Sequence, residues 1–297
     1  MNVPKFTVFT ATYNRRNLLV HVYDSLCMQT HKDFEWLIVD DGSTDETDDL
    51  VAQLSTEKKL EIVYLRQENR GKHVAFNRGV EVARGELFLP LDSDDTCVPT
   101  TLECLLRRWD EIPLDLRSAF SGVTCLCADE DGRLIGSRFP QDVVDAWPLE
   151  FCSKFRITGE KWGFQRTDIL RKFPFPENPG ERFVPEGLIW NRIARHYKMR
   201  YVNEVLRIYK ALPDGLSSSS VRLRADSPIS TCAYYWEKSE LKLPPGVRAR
   251  ALINYNRFYL HAMSRQKGAG VERQRSFPVM ATLPFGYVAY ALDLFRR

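Results

Sequence analysis

The chain has 297 residues, 44% of them hydrophobic and 27% charged, which is the composition of an ordinary soluble protein with a full core. Its formal net charge of +3 is small. We expect the charges to be evenly spread, which argues against nucleic acid as a partner. No apolar segment follows a basic start, so we expect no secretory signal. The seven cysteines are an odd number, which favours reduced thiols in a cytosolic protein over a disulfide framework.

Strand and helix patterns alternate through the first third of the chain. Four apolar segments rich in β-branched and aromatic residues are predicted to be buried strands. They are residues 6–12, 34–39, 60–65 and 86–91. Ser43 and Glu46 have the spacing of a capping box for a helix that continues through Leu54, and another helix is predicted at 73–83. This alternation predicts an α/β fold with a Rossmann-like, mostly parallel sheet flanked by helices.

The middle of the chain has a less regular pattern. Asp131 and Gly132 separate two apolar segments, 120–127 and 134–138, which predicts a β-hairpin. The remaining predicted elements are helices at 166–173 and 188–197, strands at 199–202 and 205–209, and a flexible loop at 213–220. After this loop the pattern is helical, so we expect a helical C-terminal extension.

Polar side chains follow three of the predicted strands. They lie in residues 10–15, at Asp40 and Asp41, and in residues 92–95. Because ligands bind beyond the carboxyl ends of strands in an open parallel sheet, we expect five carboxylates around one crevice. Such a crevice repels a phosphate-bearing ligand unless a cation intervenes, and oxygen ligands favour Mg²⁺ or Mn²⁺.

A structural interpretation of the same carboxylates stays open on these grounds. Asp95 or Thr96 has the right position to cap a helix that begins near Pro99, and Asp40-Asp41 is typical of a turn. No glycine-rich dinucleotide fingerprint or Walker sequence follows the first strand, which argues against a dehydrogenase or a P-loop NTPase.

Five motifs occur in a fixed order over residues 6–100. They are Thr10–Arg15, Ile38–Asp45, Asn69–Gly71 with Ala75–Gly79, Ala83–Glu86, and Leu91–Asp95. In this order they closely resemble the family 2 glycosyltransferases of the GT-A fold. A weaker resemblance over residues 160–210 is to bacterial exopolysaccharide and cell-surface glycan transferases. The resemblance implies a domain at 1–210, with a nucleotide-binding half (1–100) and an acceptor-side half (101–210), followed by the extension at 211–297.

The resemblance also implies site residues by position. The donor-binding set would be Thr10, Thr12, Asn14, Asp40, Asp41, Lys72, Asp92 and Ser93. Asp41, or alternatively Asp40, would accept a hydrogen bond from a uracil-like base, and Lys72 would meet a phosphate. Asp92 and Asp94 would form the D-x-D element that binds Mn²⁺ or Mg²⁺, with Asp94 as the direct ligand. Asp95 would orient these ligands or cap the next helix.

Relatives transfer the sugar with inversion, using one carboxylate as the base. The candidate is Glu186, with Glu181 and Glu177 as substitutes. Many relatives have Glu-Asp at this point, but here Gly187 follows Glu186. A first-turn helix charge is the alternative explanation of Glu186. Some relatives place a metal-binding His where this chain has Lys210. Two alternatives stay open: the metal has fewer protein ligands, or Lys210, Arg222 or Arg224 meets the diphosphate instead.

The segment 277–297 is apolar over most of its length and flanked by arginines. We expect an interfacial helix with aromatic anchors, against the alternatives of docking on the protein's own core or on a second copy. The predicted function is transfer of a sugar from a nucleotide-sugar donor to a glycan or lipid-linked glycan in surface polysaccharide biosynthesis. The enzyme would lie in the cytoplasm, at the inner face of the membrane, and a homo-oligomer stays open. The alternatives are a nucleotide-sugar-binding protein without transferase activity and a sugar nucleotidyltransferase.

Overall fold

The computed structural model describes residues 3–210, 220–264 and 276–295, together with Val271 and Gln274. The chain forms two compact units. Unit 1 consists of Met1–Pro174 and Ile193–Leu212, and unit 2 consists of Phe175–Arg192 and Pro213–Arg297. The loop predicted at 213–220 lies outside the described residues except for Ser220, where a helix begins.

The first half of the sheet in unit 1 is parallel. Its strands are β1 (Phe6–Thr12), β2 (Phe34–Asp40), β3 (Glu61–Arg66) and β4 (Leu87–Pro90), in the spatial order β3-β2-β1-β4. The connecting helices are α1 (Arg16–Cys27), α2 (Thr47–Thr56) and α3 (Lys72–Val82). Nearly every residue of β1 and β2 is buried, as expected of parallel strands covered by helices on both faces. The predicted strand–helix alternation is therefore confirmed.

The second half of the sheet is mixed. Its strands are β5 (Thr96–Cys97), β6 (Phe120–Ala128), β7 (Val143–Ala146), β8 (Lys161–Arg166) and β9 (Lys198–Ile208). The sheet continues from β4 in the order β8-β6-β9-β5, and β7 pairs with β9. Only β6 and β9 pair in parallel here. The helices of this half are α4 (Thr101–Asp110), α5 (Pro148–Phe155) and α6 (Thr167–Leu170). The result is the expected α/β fold, built on a mixed sheet of nine strands.

One hydrophobic cluster joins the two halves of the sheet. Phe164 of β8 meets Phe6 of β1 and Trp109 of α4 edge to face, with ring centroids 5.7 Å apart in both pairs. All three side chains are buried. Buried aromatic pairs add about 0.5–1.5 kcal/mol beyond their area. This core fixes the strand ends of both halves relative to each other.

Unit 2 is helical. It contains most of α7 (Gly187–Ala194), together with α8 (Ser220–Asp226), α9 (Pro228–Ser239), α10 (Pro245–Ser264) and α11 (Phe277–Phe295). A separate hydrophobic cluster includes Cys232 of α9, Tyr255 and Phe258 of α10, and Val279 of α11. The expected helical C-terminal extension is thus present within the described residues.

The capping box predicted at Ser43 and Glu46 is wrong. Helix α2 begins at Thr47, and Glu46 has a left-handed backbone (φ 61°) and makes no side-chain cap. Ser43 donates its amide to Asp40 Oδ1 (2.8 Å) and accepts the amide of Asn14 at Oγ (2.9 Å). These bonds tie the segment to the ends of β1 and β2, so Ser43 is not available to α2.

The hairpin prediction is correct only for its turn. Gly132 donates its amide to Asp129 O (2.9 Å), but residues 134–138 contribute a single bridge, between Ala128 and Leu134. Both edges of β6 are taken by β8 and β9 instead. Residues 161–166, where no element was predicted, form β8, and the helix predicted at 166–173 is limited to α6. The two short strands predicted at 199–209 are one strand, β9, with a register shift between its pairs with Thr124 and Leu126.

Candidate functional site

Three strand ends meet at one edge of the sheet in unit 1. β1 lies between β2 and β4 and runs parallel to both, so their carboxyl ends share this edge. It is the edge where open α/β sheets bind ligands. The segments beyond it are residues 13–15, 41–45 and 91–95.

Asp40 and Asp41 are buried and organise the turn that follows β2. Asp40 Oδ2 accepts a hydrogen bond from the Tyr64 hydroxyl of β3 (2.7 Å). Asp41 accepts Gln67 Nε2 (2.7 Å) and the amide of Arg70 (2.9 Å) at Oδ1, and the amide of Gly71 (2.8 Å) at Oδ2. Since a carboxylate has about four acceptor positions, Asp41 keeps about one for a ligand.

The predicted residues of β1 and the turn after it have different surroundings. Thr10 is buried, and its hydroxyl donates to Leu91 O (2.8 Å) and accepts from Trp36 Nε1 (3.0 Å). Thr12 is also buried, yet its Oγ1 has no hydrogen-bond partner among the described residues. Asn14 has a left-handed backbone (φ 52°), and its Oδ1 accepts the amide of Thr44 (2.7 Å). Thr12 therefore offers an unused hydroxyl at the edge, while Thr10 and Asn14 hold the strand ends together.

Asp92, Asp94 and Asp95 form a carboxylate cluster after β4. One oxygen of each lies within 4.8 Å of the other two, which makes them a group able to hold a metal ion. Ser93 lies between Asp92 and Asp94 in sequence, and its side chain is buried. The amide of Asp95 donates a hydrogen bond to Asp92 O (3.1 Å), which closes a turn around the cluster. Two carboxylates at about 4 Å repel by about 4 kcal/mol at an effective dielectric constant of ~20. The cluster therefore needs cations beside it.

Three basic side chains supply that charge. Lys72 Nζ lies 2.8 Å from Asp92 Oδ1, and Arg15 NH1 lies 2.6 Å from Asp94 Oδ2. Arg207 pairs with Asp95 and has NH2 3.7 Å from Asp92 Oδ2. Burial alone would raise the pKa of Asp92, but the charges of Lys72 and Arg207 outweigh it and hold that pKa below its ordinary value. Asp92 is therefore ionised at neutral pH and able to bind a cation.

Arg207 is the cation that the sequence did not reveal. It lies on β9, its side chain is 5% exposed, and its guanidinium sits over the rings of Trp162 and Tyr209. Its NH1 also meets Glu160 Oε1 (3.2 Å). Burial would lower the pKa of Arg207, but Asp92 and Asp95 reverse this and raise it. Arg207 therefore keeps its positive charge next to the carboxylates of Asp92 and Asp95.

One alternative raised by the sequence is wrong at this edge. Asp95 and Thr96 do not cap the next helix: α4 begins at Thr101, and Asp95 Oδ1 instead accepts the amide of Lys210 (3.0 Å). The ammonium of Lys210 pairs with Glu130 (3.2 Å). Arg207 is thus the side chain of β9 that reaches the carboxylates, and the contact of Lys210 with a diphosphate stays a prediction.

The candidate base and its substitutes lie in unit 2. Glu186 is exposed, and its carbonyl accepts the amides of Ile189 (3.2 Å) and Trp190 (3.3 Å) at the start of α7. Glu181 is buried, and its carboxylate accepts the amides of Ile229 (2.6 Å) and Ser230 (2.9 Å) in the first turn of α9. The substitute Glu181 therefore caps a helix, while Glu186 is an exposed residue.

Comparisons with known proteins identify the family of the segment that forms this edge of the sheet. The model of the family "Glycosyl transferase family 2" matches residues 7–154, which include β1 to β4 and the carboxylate cluster. The chain belongs to glycosyltransferase family 2. Its relatives include TuaG of Bacillus subtilis, named as a teichuronic acid biosynthesis glycosyltransferase, which is 35% identical over 130 residues (43% of this chain, 50% of TuaG). This chain spans about a quarter to a half of the length of three curated relatives that it matches, TuaG among them.

Solved structures share the fold of this family 2 chain. Residues 1–349 of S. aureus TarS, in complex with UDP, have a TM-score of 0.61 at 22% identity, covering 89% of this chain and 74% of that TarS chain. The mannosyltransferase PcManGT of Pyrobaculum calidifontis, in complex with GDP-Man and Mn²⁺, has a TM-score of 0.59 at 19% identity, covering 99% of this chain and 88% of PcManGT. The expected GT-A architecture is confirmed.

A local contact explains how this family 2 chain departs from the Glu-Asp pattern that the resemblance implied. A Cβ atom at Gly187 would lie 2.9 Å from Cε2 of Tyr234, a residue of α9. An aspartate at 187 therefore requires that ring to move. The packing of α9 favours glycine here.

Proposed function

We propose that this protein transfers a sugar, with inversion at the anomeric carbon, from a nucleotide-sugar donor to a glycan or lipid-linked glycan in surface polysaccharide biosynthesis. The donor would be a UDP-sugar, held with Mn²⁺ or Mg²⁺. The observation that carries the proposal is the carboxylate cluster at the carboxyl edge of the sheet, faced by three cations. A turn or a helix cap needs neither the third carboxylate nor this set of charges.

The donor half of the proposal uses residues of unit 1. We assign Thr12, with its unused buried hydroxyl, and the remaining acceptor position of Asp41 to the nucleoside. The nucleoside site would be shaped by four residues at the strand ends, which are Thr10, Asn14, Asp40 and Ser93. The UDP bound to TarS and the GDP-Man bound to PcManGT support a nucleotide-sugar donor in this fold, and the preference for uracil rests on the family resemblance.

The carboxylate cluster fits a divalent cation, because its donors are carboxylate oxygens close enough to share one ion. Asp94 and Asp92 would hold the ion, and Asp95, fixed by Arg207, would orient them. When bound, such a cation stabilises negative charge on the leaving diphosphate. Lys72 and Arg15, now paired with Asp92 and Asp94, would then be available to bind phosphate oxygens.

Glu186 would be the base of the transfer. Its carboxylate would take the proton of the acceptor hydroxyl as that oxygen bonds to the anomeric carbon and the bond from this carbon to the diphosphate breaks. Glu186 is exposed and Glu181 is buried at the start of α9, and this difference in exposure supports Glu186 in the role. The Glu186→Gln variant should keep donor affinity and lose transfer; full turnover by this variant would remove Glu186 as the base.

The decisive experiment is calorimetric titration of UDP, GDP and their sugar conjugates, each with Mn²⁺ and with EDTA. We expect one nucleotide family to bind in the presence of metal, and the Asp94→Asn variant to weaken that binding at least about tenfold, by the loss of a metal ligand. The matched control is Asp115→Asn, an exposed aspartate of unit 1, which should bind as the wild type does. Binding that is equal with EDTA and with Mn²⁺ would remove the metal from the proposal. Metal-dependent binding without transfer to any acceptor would favour a nucleotide-sugar-binding protein.

A further inference from the structure

The polarity of α11 is the reverse of that of an ordinary surface helix. Its buried residues are Val279, Gly286 and Asp293, which recur every seven residues and so form one stripe. Asp293 is the only charged residue of α11, and it is on the buried side. Every exposed residue of the helix is apolar or aromatic. The most prominent are Phe277, Met280, Phe285, Tyr287, Leu292 and Phe295.

Polar contacts with α10 fix this orientation. Arg257 Nε donates to Asp293 Oδ2 (2.6 Å), and His261 Nε2 lies 2.9 Å from the same oxygen. Nearer the start of α11, Asn256 Nδ2 donates to Val279 O (2.9 Å) and Thr282 Oγ1 (3.0 Å). Because these contacts extend over most of its length, α11 cannot rotate its apolar residues inward without separating Asp293 from Arg257 and His261, and breaking a largely buried ion pair is strongly unfavourable.

The outer face of α11 is therefore a continuous apolar surface. Within the described residues, α11 is the one helix long and apolar enough to cross a membrane, and only 17% of its apolar window is buried. A soluble protein rarely leaves such a surface in contact with water. To cross a bilayer, α11 would have to break the contacts of Asp293 with Arg257 and His261 and carry a carboxylate into lipid. A helix that lies in the membrane surface keeps these contacts.

We propose that the outer face of α11 binds an anionic lipid surface, with the helix lying in the plane of the interface. Charge favours this occupant. Residues 245–297 contain nine lysines and arginines against two acidic residues, although the whole chain has a net charge of only +3. One of the two acidic residues is Asp293, already paired with Arg257. Our expectation of evenly spread charge is therefore wrong, and this basic segment attracts anionic headgroups.

A second copy of the chain is a less favourable partner for the outer face of α11 than a lipid surface. Arg273 and Arg275 precede α11 in the sequence, and Arg296 and Arg297 follow it. Whether two copies of α11 paired parallel or antiparallel, basic ends would meet basic ends, and like charges oppose such an interface.

A cleft beside α11 suits the hydrocarbon of a lipid. It has a volume of about 280 Å³ and is lined by residues of α10 and α11. Tyr255, Tyr259 and Met263 lie on one side, and Val279, Met280 and Leu283 on the other. Met280 also belongs to the exposed face, so the cleft is continuous with it. An acyl chain entering here would extend the apolar contact beyond the helix surface.

The test is co-sedimentation of the full chain with vesicles, without donor or acceptor, so that its result is independent of the transfer reaction. One vesicle preparation is phosphatidylcholine alone, and the other contains added phosphatidylglycerol. We expect binding to the anionic vesicles that weakens as salt is added. The double variant Phe285→Glu, Leu292→Glu should lower the partition coefficient at least about tenfold, since it removes two apolar contacts and adds two negative charges.

Leu114→Glu is the matched control, because Leu114 is 80% exposed and lies in unit 1. This variant should bind vesicles as the wild type does. Three results would overturn the proposal: wild-type protein that binds neither preparation, a double variant that binds as tightly as the wild type, or a dimer in light scattering that the double variant dissociates. The last would assign the face to a second copy.

Discussion

At the scale of single residues, Arg207 is what allows Asp92 and Asp95 to lie together at the edge of the sheet. Removing its charge leaves Asp95 without its buried ion-pair partner and leaves Asp92 with Lys72. We expect Arg207→Gln to lower the free energy of unfolding by about 3–5 kcal/mol, the usual cost of breaking a buried ion pair. Thermal melts would measure the loss, and Mn²⁺ should restore part of it if a cation can bind the same carboxylates. Arg133→Gln, at an exposed ion pair, is the control, and an equal melting temperature for both variants would contradict this role.

Glu181 and Glu186 should respond in opposite ways to loss of charge. Glu181→Gln keeps the shape but weakens the cap on α9, so we expect it to lower the free energy of unfolding by about 1–3 kcal/mol while transfer survives. Glu186→Gln changes an exposed residue, so we expect it to lower the melting temperature less than Glu181→Gln does, while transfer is lost. Melting curves and turnover measured on the same preparations would check both. If Glu181→Gln loses turnover but melts as the wild type does, Glu181 and not Glu186 would be the base.

At the scale of elements, the contact between α10 and α11 should depend on pH. Burial alone would raise the pKa of Asp293, but hydrogen bonds from Arg257 and His261 outweigh it and hold that pKa below its ordinary value. The unfolded chain therefore binds this proton more tightly. The stabilisation is then complete above the unfolded value of about 3.9, and it is lost as the pH falls through the lower folded value.

The variant Asp293→Asn isolates this effect. At neutral pH it should be less stable than the wild type by about 2–4 kcal/mol, because two charge-assisted contacts are weakened. The difference should narrow below about pH 4, where the wild-type carboxylate also becomes protonated. Urea unfolding followed by near-ultraviolet circular dichroism would measure it. A difference that stays constant down to the lowest pH at which the protein folds would contradict a role for this charge.

The elements that the sequence predicted well are those with a local signal. β1 and β2 are almost fully buried, so each is a continuous apolar run. β8 was missed because Lys161-Trp-Gly-Phe-Gln-Arg166 alternates, is short and contains a glycine. That glycine has a reason which only the structure supplies: a Cβ at Gly163 would lie 1.9 Å from Val123 O of β6. Residues 161–166 form a strand because they pair with β4 and β6, which are distant in sequence, and no local pattern predicts this pairing.

At the scale of the whole molecule, the sequence predicted those site residues that are neighbours in the chain. Asp92, Ser93, Asp94 and Asp95 are neighbours in sequence, and the parallel order of β1, β2 and β4 follows from the strand–helix alternation. Arg207 comes from β9, which is far from the cluster in sequence and reaches it through pairing with β6 and β5. A basic residue inside the apolar run Val205–Ile208 was the only sign of it.

Because the carboxylates and cations form one network, metal and nucleotide should bind to the folded protein cooperatively. Alone, a nucleotide diphosphate meets the carboxylates of Asp92 and Asp94, and a cation alone must displace Lys72 and Arg15. Together, the cation takes the carboxylates and the two basic side chains are available for the phosphates. We therefore expect UDP and Mn²⁺ together to raise the melting temperature by more than the sum of their separate effects. Differential scanning fluorimetry of the wild type, Asp94→Asn and Asp115→Asn would measure this, and only Asp94→Asn should lose the excess. Strictly additive shifts in the wild type would mean that metal and diphosphate occupy separate sites.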